Sequence, residues 1–268
     1  MFDQTIFEQK LATSWLGRSL CYFEETTSTN SVAKTISLRE EGHGSIVLAD
    51  AQSQGRGQYK RTWVADPGEN LTFSIILTPE RSHSLIVLTL ACAYAIRSCF
   101  EERTQYHATV KWPNDVLVND KKVAGLLTET VFKGNKLDRA IIGIGINVNQ
   151  ADFGEELNGW AGSLRQLTGH TNPREELLAD LLLRIEHCYT KWLQHDVELV
   201  KLINSTLIGF GDWVTIEKDG ERLAGTFKFL GINQTGALTV LDQDMELNTF
   251  LYEQIRIHPI SADSQRKH

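Results

Sequence analysis

Residues Lys111–Glu129 read KWPNDVLVNDKKVAGLLTE, and this stretch decides the fold that the sequence predicts. Two apolar runs, Val116–Val118 and Val123–Leu127, are separated by Asn119-Asp120, a pair that favours a tight turn between strands. The stretch therefore predicts a β-hairpin, with Lys111 at the point where a strand enters the sheet.

The dipeptide Trp112-Pro113 predicts which way Lys111 points. A residue before proline is kept out of the helical region, so the chain is expected to be extended at positions 111 and 112. Neighbours in an extended chain point to opposite faces. If Lys111 faces a pocket, Trp112 faces the core, and the lysine is a fixed charge on a rigid wall. The alternative is an ordinary solvated lysine beside a core tryptophan, and the stretch alone leaves both readings open.

Composition sets the class of protein. The chain has 268 residues, 41% of them hydrophobic, which suffices for one large core and a smaller module. The N-terminus lacks a secretory signal and no apolar run is long enough to cross a membrane, so we expect a soluble, cytoplasmic protein. The four cysteines show no CxxC pairing, which favours reduced thiols. A net charge of -7 argues against bulk-charge binding of nucleic acid, although a local basic loop can still bind a phosphate.

The order of predicted elements indicates two domains and a tail. Strands and helices mixed along the chain predict an α+β domain over residues 1–209, and short β runs with tight turns predict a small β-barrel over 210–260, followed by a polar tail over 261–268. In the first domain we expect strands at 20–23, 45–51, 71–77, near 109 and at 140–148, and helices at 31–40, 84–102, 173–195 and 197–203. In the second we expect strands at 213–217, 223–230, 237–241 and 255–258.

The loop Gln52–Trp63, QSQGRGQYKRTW, combines glycines with basic residues. Gly55 and Gly57 allow the backbone to approach a ligand closely, and Arg56 between them can present a planar fork to a carboxylate or phosphate. The loop therefore favours an anionic ligand over which it folds. A solvated basic loop and an RGG-like contact with nucleic acid remain as alternatives.

Two further patterns mark candidate binding residues. The run Ser28-Thr29-Asn30 precedes a predicted helix, where such residues usually act as helix caps. Gly143, Gly145 and Asn147 alternate along a strand, so they share one face and form a bare floor suited to a flat ligand. Close packing of that strand against a helix explains the glycines equally well.

Several common site motifs are absent from the sequence. No Walker pattern occurs, and Gly143-Ile144-Gly145 lacks the third glycine of a dinucleotide fingerprint. No HExxH, paired-cysteine or acidic metal loop occurs, so we expect no resident metal site. A nucleotide, if bound, must be held in another way.

The sequence resembles the biotin–protein ligases, which attach biotin to carboxylase carrier domains. The resemblance rests on four motifs in this order: Ser-Thr-Asn at 28–30, GRGQYKRTW, KWPNDVLVNDKKVAGLLTE and GIGINVN. The resemblance implies an α+β fold: a mixed β-sheet catalytic domain with packed helices, of the class II synthetase-like biotin/lipoate ligase type, followed by an SH3-like barrel. It also implies that biotin and Mg²⁺-bound ATP form biotinyl-AMP and pyrophosphate, after which biotin passes to a lysine of the biotin carboxyl carrier domain of acetyl-CoA carboxylase or a related enzyme. Relatives are often homodimers.

The resemblance implies roles for individual residues. Both reaction steps gather negative charge at one centre, so Lys111 and Arg56 are the candidate catalytic cations. The implied biotin-binding residues are Ser28, Thr29, Asn30, Gln52, Gly55, Arg56, Gly57, Lys111, Gly125 and Gly143. The implied ATP-binding residues are Arg61, Trp63, Asn147 and Lys111.

The sequence departs from the family pattern in the glycine loop. The family more often reads GRGRxGRxW, whereas this chain has Gln58 and Lys60 where arginine and glycine are usual, which puts the loop's hold on the intermediate in question. Two other functions are weighed: a lipoate or octanoate ligase of the same fold, and a non-catalytic biotin sensor or DNA-bound regulator. With 27 residues before Ser28, we expect no DNA-binding domain.

Overall fold

The computed structural model describes residues 1–36, 42–79, 84–251 and 255–259, without the side chain of Lys60. The second half of the helix predicted at 31–40, residue 260 of the predicted barrel and the predicted tail at 261–268 lie outside the described residues. No helix among the described residues is long and apolar enough to cross a lipid bilayer.

A mixed sheet forms the first part of the molecule. Its strands run in the order β1-β2-β3-β7-β6-β5-β4; β1 and β2 are parallel, and the other neighbours are antiparallel. The strands are β1 (Leu20–Thr26), β2 (Ile46–Gln52), β3 (Leu71–Leu77), β4 (Ala108–Lys111), β5 (Asp115–Val118), β6 (Lys121–Lys133) and β7 (Lys136–Ile146). The predicted mixed α+β fold is confirmed.

Helices cover both faces of this sheet. They are α1 (Gln4–Lys10), α2 (Thr29–Thr35), α3 (Leu85–Thr104), α4 (Gly154–Leu157), α5 (Leu164–Thr168), α6 (Arg174–Leu193) and α7 (Val197–Thr206). α3 is apolar around most of its circumference, as expected of a helix buried between a sheet and a second helix, here α6. On the opposite face Ala33 of α2 packs with Val47, Ile76 and Ile141 in a separate small cluster.

The quoted hairpin is present as the sequence predicts. β5 and β6 pair antiparallel, and Asn119 and Asp120 between them have φ of 49° and 61°, the left-handed values that a tight hairpin turn needs. β4 ends at Lys111, the Trp112–Pro113 peptide bond is cis, and 112–114 form a turn. Trp112 is only 5% exposed and belongs to the core, as predicted, while Lys111 is exposed. Both residues line the cavity described below, so their opposite orientation stays a prediction.

A second, antiparallel sheet curls into the small SH3-like barrel. Its order is β12-β11-β10-β8-β13, with β9 paired to β8. The strands are β8 (Trp213–Lys218), β9 (Glu221–Arg222), β10 (Phe227–Ile232), β11 (Leu238–Leu241), β12 (Leu247–Phe250) and β13 (Ile255–Pro259).

Two details of the barrel differ from the sequence prediction. The single strand expected at 223–230 is wrong: Gly225 has a φ of 85°, which interrupts an extended chain, and β10 begins only at Phe227. β12 was not expected, because its four residues LNTF are partly exposed and show no buried apolar alternation.

The two sheets share a continuous core. Val214, Ile216 and Phe229 of the barrel belong to the same hydrophobic cluster as α3, α6 and the mixed sheet. The backbone N–H of Ile208 donates to the Val110 carbonyl at 3.0 Å, which joins the linker to β4. The barrel is therefore seated directly against the first sheet, and a division at 209/210 stays a prediction.

Candidate active site

One cavity of about 250 Å³ lies where the glycine loop, the start of α2, the β4–β5 turn and β13 meet. The structure brings most of the sequence-predicted site residues into its lining: Ser28, Thr29, Asn30, Gln52, Arg56, Gly57, Arg61, Trp63, Lys111, Gly125 and Gly143. Motifs spread over more than a hundred positions of the chain thus meet around a single space.

A hydrogen-bonded chain links the polar residues on one side of the cavity. Gln52 Oε1 accepts from the backbone N–H of Thr29 at 2.8 Å. Ser74 Oγ then lies 2.7 Å from Thr29 Oγ1 and 2.6 Å from Asn30 Oδ1. Because each partner fixes the next, these side chains present a preformed set of donors and acceptors.

Ser28 does not behave as the helix cap that its position suggested. It is the N-cap residue of α2 by backbone position, yet its side chain makes no capping hydrogen bond. The residue is buried and lines the cavity instead. The capping interpretation is therefore wrong for the Ser28 side chain.

The glycine loop folds back on itself as a short ribbon. Gly57 N–H donates to the Arg61 carbonyl at 2.7 Å, and Trp63 N–H donates to the Gly55 carbonyl at 3.0 Å. A Cβ on Gly55 would clash with the Trp63 carbonyl oxygen, so this glycine serves the fold of the loop and does not line the cavity. The left-handed residue of the loop is Tyr59, with φ of 53°, an uncommon conformation for an aromatic residue.

Lys111 and Arg56 reach the cavity in different electrostatic states. The Arg56 guanidinium lies 3.0 Å from a carboxylate oxygen of Glu129 and 3.2 Å from Ser31 Oγ. Among the described residues, the Lys111 ammonium has no ion-pair or hydrogen-bond partner. A lysine that lines a cavity and has no protein counter-charge among the described residues is suited to meet a negative charge brought by a ligand.

Asp115 and Lys122 also line the cavity and were missed by the sequence reasoning. Lys122 Nζ lies 2.7 Å from Asp115 Oδ1 and 5.8 Å from the centre of a Trp63 ring. Both residues belong to the stretch quoted above. The pairing of β4 with β5 puts Asp115 opposite Lys111, and the ion pair with Asp115 brings Lys122 to the same place.

The glycine floor carries protein side chains as well as open space. A Cβ on Gly143 would clash with Asn30 Oδ1, and a Cβ on Gly145 would clash with the indole of Trp63. For Gly143, the alternative given by the sequence analysis is therefore correct: the glycine lets α2 pack closely against the strand. Gly145 makes room for the indole, whose Nε1 is buried without a hydrogen-bond partner among the described residues.

Asn147 is not brought into the cavity. Its side chain is buried, and Nδ2 donates to the Gly162 carbonyl at 3.0 Å and lies 3.4 Å from the Lys122 carbonyl. The amide thus ties the end of β7 to the segment before α5. The contact with ATP that the resemblance implies for Asn147 stays a prediction.

The barrel contributes the remaining wall, which the sequence reasoning also missed. Four residues of β13, Ile255–His258, line the cavity. The Arg256 guanidinium lies 6.0 Å from the Tyr59 ring and 3.5 Å from a Glu217 oxygen. A late apolar run predicts a strand at this position but carries no signal that the strand reaches the glycine loop.

The described residues contain no group of three or more His, Cys, Asp and Glu side chains that could hold a metal ion. Among the described residues of the cavity lining, Asp115 is the one that bears a carboxylate. A resident metal would need more ligands, whereas an ion that arrives on a polyphosphate needs one or two protein carboxylates.

Comparisons with known proteins agree with this geometry. The model of the biotin/lipoate A/B protein ligase family matches residues 22–147. The bifunctional ligase/repressor BirA of Bacillus subtilis is 36% identical over 234 residues, which cover 85% of this chain and 71% of BirA. The chain belongs to the biotin/lipoate A/B protein ligase family. The matched range holds the polar run, the glycine loop and the hairpin with Lys111.

Two further relatives place the chain within this family. The biotin–[acetyl-CoA-carboxylase] ligase of Paracoccus denitrificans is 35% identical over 163 residues, which cover 59% of this chain and 67% of that ligase. A biotin protein ligase from Aquifex aeolicus, solved in complex with biotin and ATP, has a TM-score of 0.79 and 30% identity, covering 91% of this chain and all of that one. The similarity to the solved ligase includes the barrel, since it extends over nearly the whole chain.

Proposed function

We propose that this chain is an ATP-dependent biotin–protein ligase, which forms biotinyl-5'-AMP and transfers biotin to a lysine of a carrier protein. The observation that carries the proposal is the single cavity that joins a preformed polar network to two cations on separate elements, in a chain of this ligase family. The polar half of the cavity, with Ser28, Thr29, Asn30 and Gln52, is suited to an uncharged polar ring. The charged half, with Lys111 and Arg56, is suited to a phosphate.

The polar half holds the ureido ring of biotin. That ring offers N–H donors and a carbonyl acceptor, and Ser28, Thr29, Asn30 and Gln52 supply hydroxyl and amide groups of both kinds. Buried polar groups discriminate strongly when a competitor leaves them unpaired. Lipoate lacks a ureido group, so this half favours biotin over lipoate or octanoate.

The charged half promotes the first step. The biotin carboxylate oxygen attacks the α-phosphorus of ATP, a new P–O bond forms, and the bond to pyrophosphate breaks. Negative charge accumulates around the phosphorus, where Lys111 and Arg56 act as fixed cations. Gly57 and Gly125 line the cavity, and Gly143 makes room for the Asn30 amide beside it.

The nucleotide lies towards Trp63 and Arg61. An indole face is a stacking surface for adenine, and the buried Nε1 of Trp63 is free to donate to a ligand atom. Arg61 is placed to contact phosphate. Mg²⁺ enters with the ATP phosphates, and Asp115 is the cavity carboxylate that would contact it.

In the second step the ε-amine of the carrier lysine attacks the carbonyl carbon of the mixed anhydride, and AMP leaves. Water would hydrolyse the anhydride, so the glycine loop covers it until the carrier arrives. The carrier is a biotin carboxyl carrier domain of acetyl-CoA carboxylase or a related carboxylase. A cytoplasmic location, where ATP and carboxylases meet, and a homodimer are parts of the proposal that rest on the resemblance.

Exchange of labelled pyrophosphate into ATP tests the proposal, with biotin, with lipoate and with neither. We expect exchange that depends on biotin. Labelled pyrophosphate enters ATP only when the first step runs backwards, and the adenylate needed for this forms only when a substrate carboxylate is present. Exchange with lipoate alone would favour the lipoate ligase, and no exchange with a folded protein that binds biotin would favour a sensor. Either result would overturn the biotin ligase.

A further inference from the structure

Glu129 of β6 contacts residues of both halves of the cavity, Asn30 in the polar half and Arg56 in the charged half. One oxygen, Oε1, lies 2.6 Å from Lys34 Nζ. The other, Oε2, accepts from Asn30 Nδ2 at 2.9 Å and lies 3.0 Å from the Arg56 guanidinium. A single carboxylate thus joins the polar run of α2 to the arginine of the glycine loop.

Its first effect is on the direction of the Asn30 amide. Nδ2 donates to Glu129 and lies 3.3 Å from the Leu127 carbonyl, while Oδ1 accepts from Ser74 Oγ. A carboxylate only accepts, so the amide cannot turn over without placing its own oxygen against Glu129. Gly143 makes room for the amide in this position, because a Cβ there would clash with Oδ1.

Its second effect is on Arg56. This side chain is 42% exposed, and Glu129 is its ion-pair partner among the described residues. Exposed pairs are weak, so the guanidinium can leave Glu129 for a stronger anion at little cost. The pair therefore keeps Arg56 near the cavity without fixing it there.

Lys34 makes such an exchange electrostatically possible. When Arg56 moves to a ligand anion, Glu129 keeps Lys34 at 2.6 Å and is not left as a lone, half-buried charge. Burial alone would raise the pKa of Glu129, but hydrogen bonds from Lys34 and Asn30 and the charges of Lys34 and Arg56 outweigh it and lower that pKa. The carboxylate is ionised at neutral pH, as the exchange requires.

We propose that Glu129 is a positioning residue that fixes the Asn30 amide for the biotin ring and holds Arg56 until an anionic ligand takes the guanidinium over. The inference rests on the proposed ligase function for the identity of the ligand. Its geometric part, the tether between β6 and the glycine loop, concerns the protein without ligand.

The test compares Glu129→Gln with Asp180→Asn. The first change keeps the shape of the side chain but removes the charge. Asp180 is a matched control: it is also partly buried and paired with two cations, Arg103 at 3.1 Å and Arg184 at 2.9 Å, but lies away from this cavity. Wild-type and both variants are assayed by pyrophosphate exchange and, without ligands, by trypsin cleavage after the basic residues of the glycine loop.

For Glu129→Gln we expect the KM for biotin to rise about tenfold, because one amide oxygen cannot accept from Lys34, Asn30 and Arg56 together and the hydrogen bond to Asn30 loses its charge. The KM for ATP should change less than about twofold. Loop cleavage without ligand becomes about two to five times faster, as for loss of an exposed ion pair. With biotin and a non-hydrolysable ATP analogue, cleavage slows to the wild-type level because the ligands hold Arg56.

Other outcomes would overturn the inference. Wild-type values of both the biotin KM and the ligand-free cleavage rate would show that Glu129 positions nothing. Equal rises in both KM values, matched by Asp180→Asn, would show a structural role only. If the wild-type protein itself has no biotin-dependent exchange, the proposed function fails, and the ligand-free cleavage still decides whether Glu129 holds the loop.

Discussion

Lys111 illustrates how neighbouring residues determine the role of a side chain. Its strand ends at Lys111 itself, Trp112 is anchored in the core, and Lys111 lines the cavity. In the proposed function the lysine has no protein partner to give up, among the described residues, when a phosphate arrives. Preorganised charge of this kind is the largest single contribution to many enzymatic rate enhancements.

Lys111→Ala is expected to lower biotin-dependent pyrophosphate exchange by about 100-fold or more, the effect of losing one preorganised electrostatic contact. The melting temperature should stay near that of the wild type, since the ammonium has no partner among the described residues. Lys136→Ala, at the far end of the β6–β7 hairpin, is the control. Near-normal exchange by a folded Lys111→Ala variant would refute the role.

Gly143→Ala and Gly145→Ala are expected to affect different substrates. The new methyl group would push Asn30 in the first variant and the Trp63 indole in the second. Overpacking costs about 1–3 kcal/mol, or about fivefold and more in affinity, so the KM for biotin should rise in Gly143→Ala and the KM for ATP in Gly145→Ala. Equal changes in both KM values for both variants would contradict the assignment of the two halves.

The sequence allowed the residues of single motifs to be predicted, but not the pairs formed between motifs. Lys111, Arg56 and the polar run stand in local patterns whose chemistry can be recognised. Glu129 ends one of those patterns, yet its partners come from segments 73 to 99 positions away, and no local rule pairs them. The predicted contact of Asn147 with ATP stays a prediction, and the hydrogen bonds of its amide to backbone carbonyls were not predictable from the alternating run.

At the scale of elements, buried carboxylates attach the N-terminal segment to the mixed sheet and α6. Glu186 of α6 accepts from the backbone N–H groups of Ser14, Trp15 and Leu16. Asp50, near the end of β2, binds Arg174 in the first turn of α6 at 2.6 Å. Hydrophobic periodicity predicts where strands and helices lie along the chain. It does not predict which segments a buried carboxylate joins, so these connections could not be predicted from the sequence.

Arg174→Met is expected to lower the free energy of unfolding by about 3–5 kcal/mol, because it leaves Asp50 as a buried charge without its cation. The two side chains are 6% and 10% exposed, so solvent replaces little of the lost interaction. Lys201→Met is the control, since its pair with Glu198 is exposed and should contribute almost nothing. Urea denaturation measures both, and equal small losses would contradict the argument.

The same pair predicts a dependence on pH. Burial would raise the pKa of Asp50, but hydrogen bonds from Tyr22 and Arg174 and the Arg174 charge lower it below its ordinary value of 3.8. A depressed pKa stabilises the folded state above the ordinary value and loses that effect as pH falls through the folded-state value. The difference between wild type and Arg174→Met should therefore be full at neutral pH and narrow below about pH 4.

At the scale of the whole molecule, the cavity is complete only because the barrel rests on the mixed sheet. β13 supplies one wall, and Arg256 faces the Tyr59 ring of the glycine loop. Besides the shared core, a polar contact between α7 and β10 helps to hold the barrel in place. Asn204 Nδ2 donates to the Ile232 carbonyl at 3.0 Å, and Asn204 Oδ1 accepts from the Ile232 N–H at 2.8 Å.

Asn204→Ala is expected to disturb the active site without touching it. Loss of the amide leaves both backbone groups of Ile232 without their partner, which costs about 1–3 kcal/mol where such groups are buried. Gly231, with φ of 90° and no room for a Cβ beside Asn204, shows that β10 is shaped to this contact. β13 should then hold its place less firmly, and exchange activity should fall together with the urea midpoint.

Asn248→Ala separates this effect from a general weakening of the barrel. Asn248 lies on β12 at the opposite edge of the same sheet, where its amide donates to Asp242 at 2.8 Å, within a local turn. We expect that variant to keep wild-type exchange even if the barrel is slightly less stable. Because β13 reaches the cavity while β12 does not, equal loss of activity in the two variants would show that overall barrel stability, and not its seating on α7, controls the site.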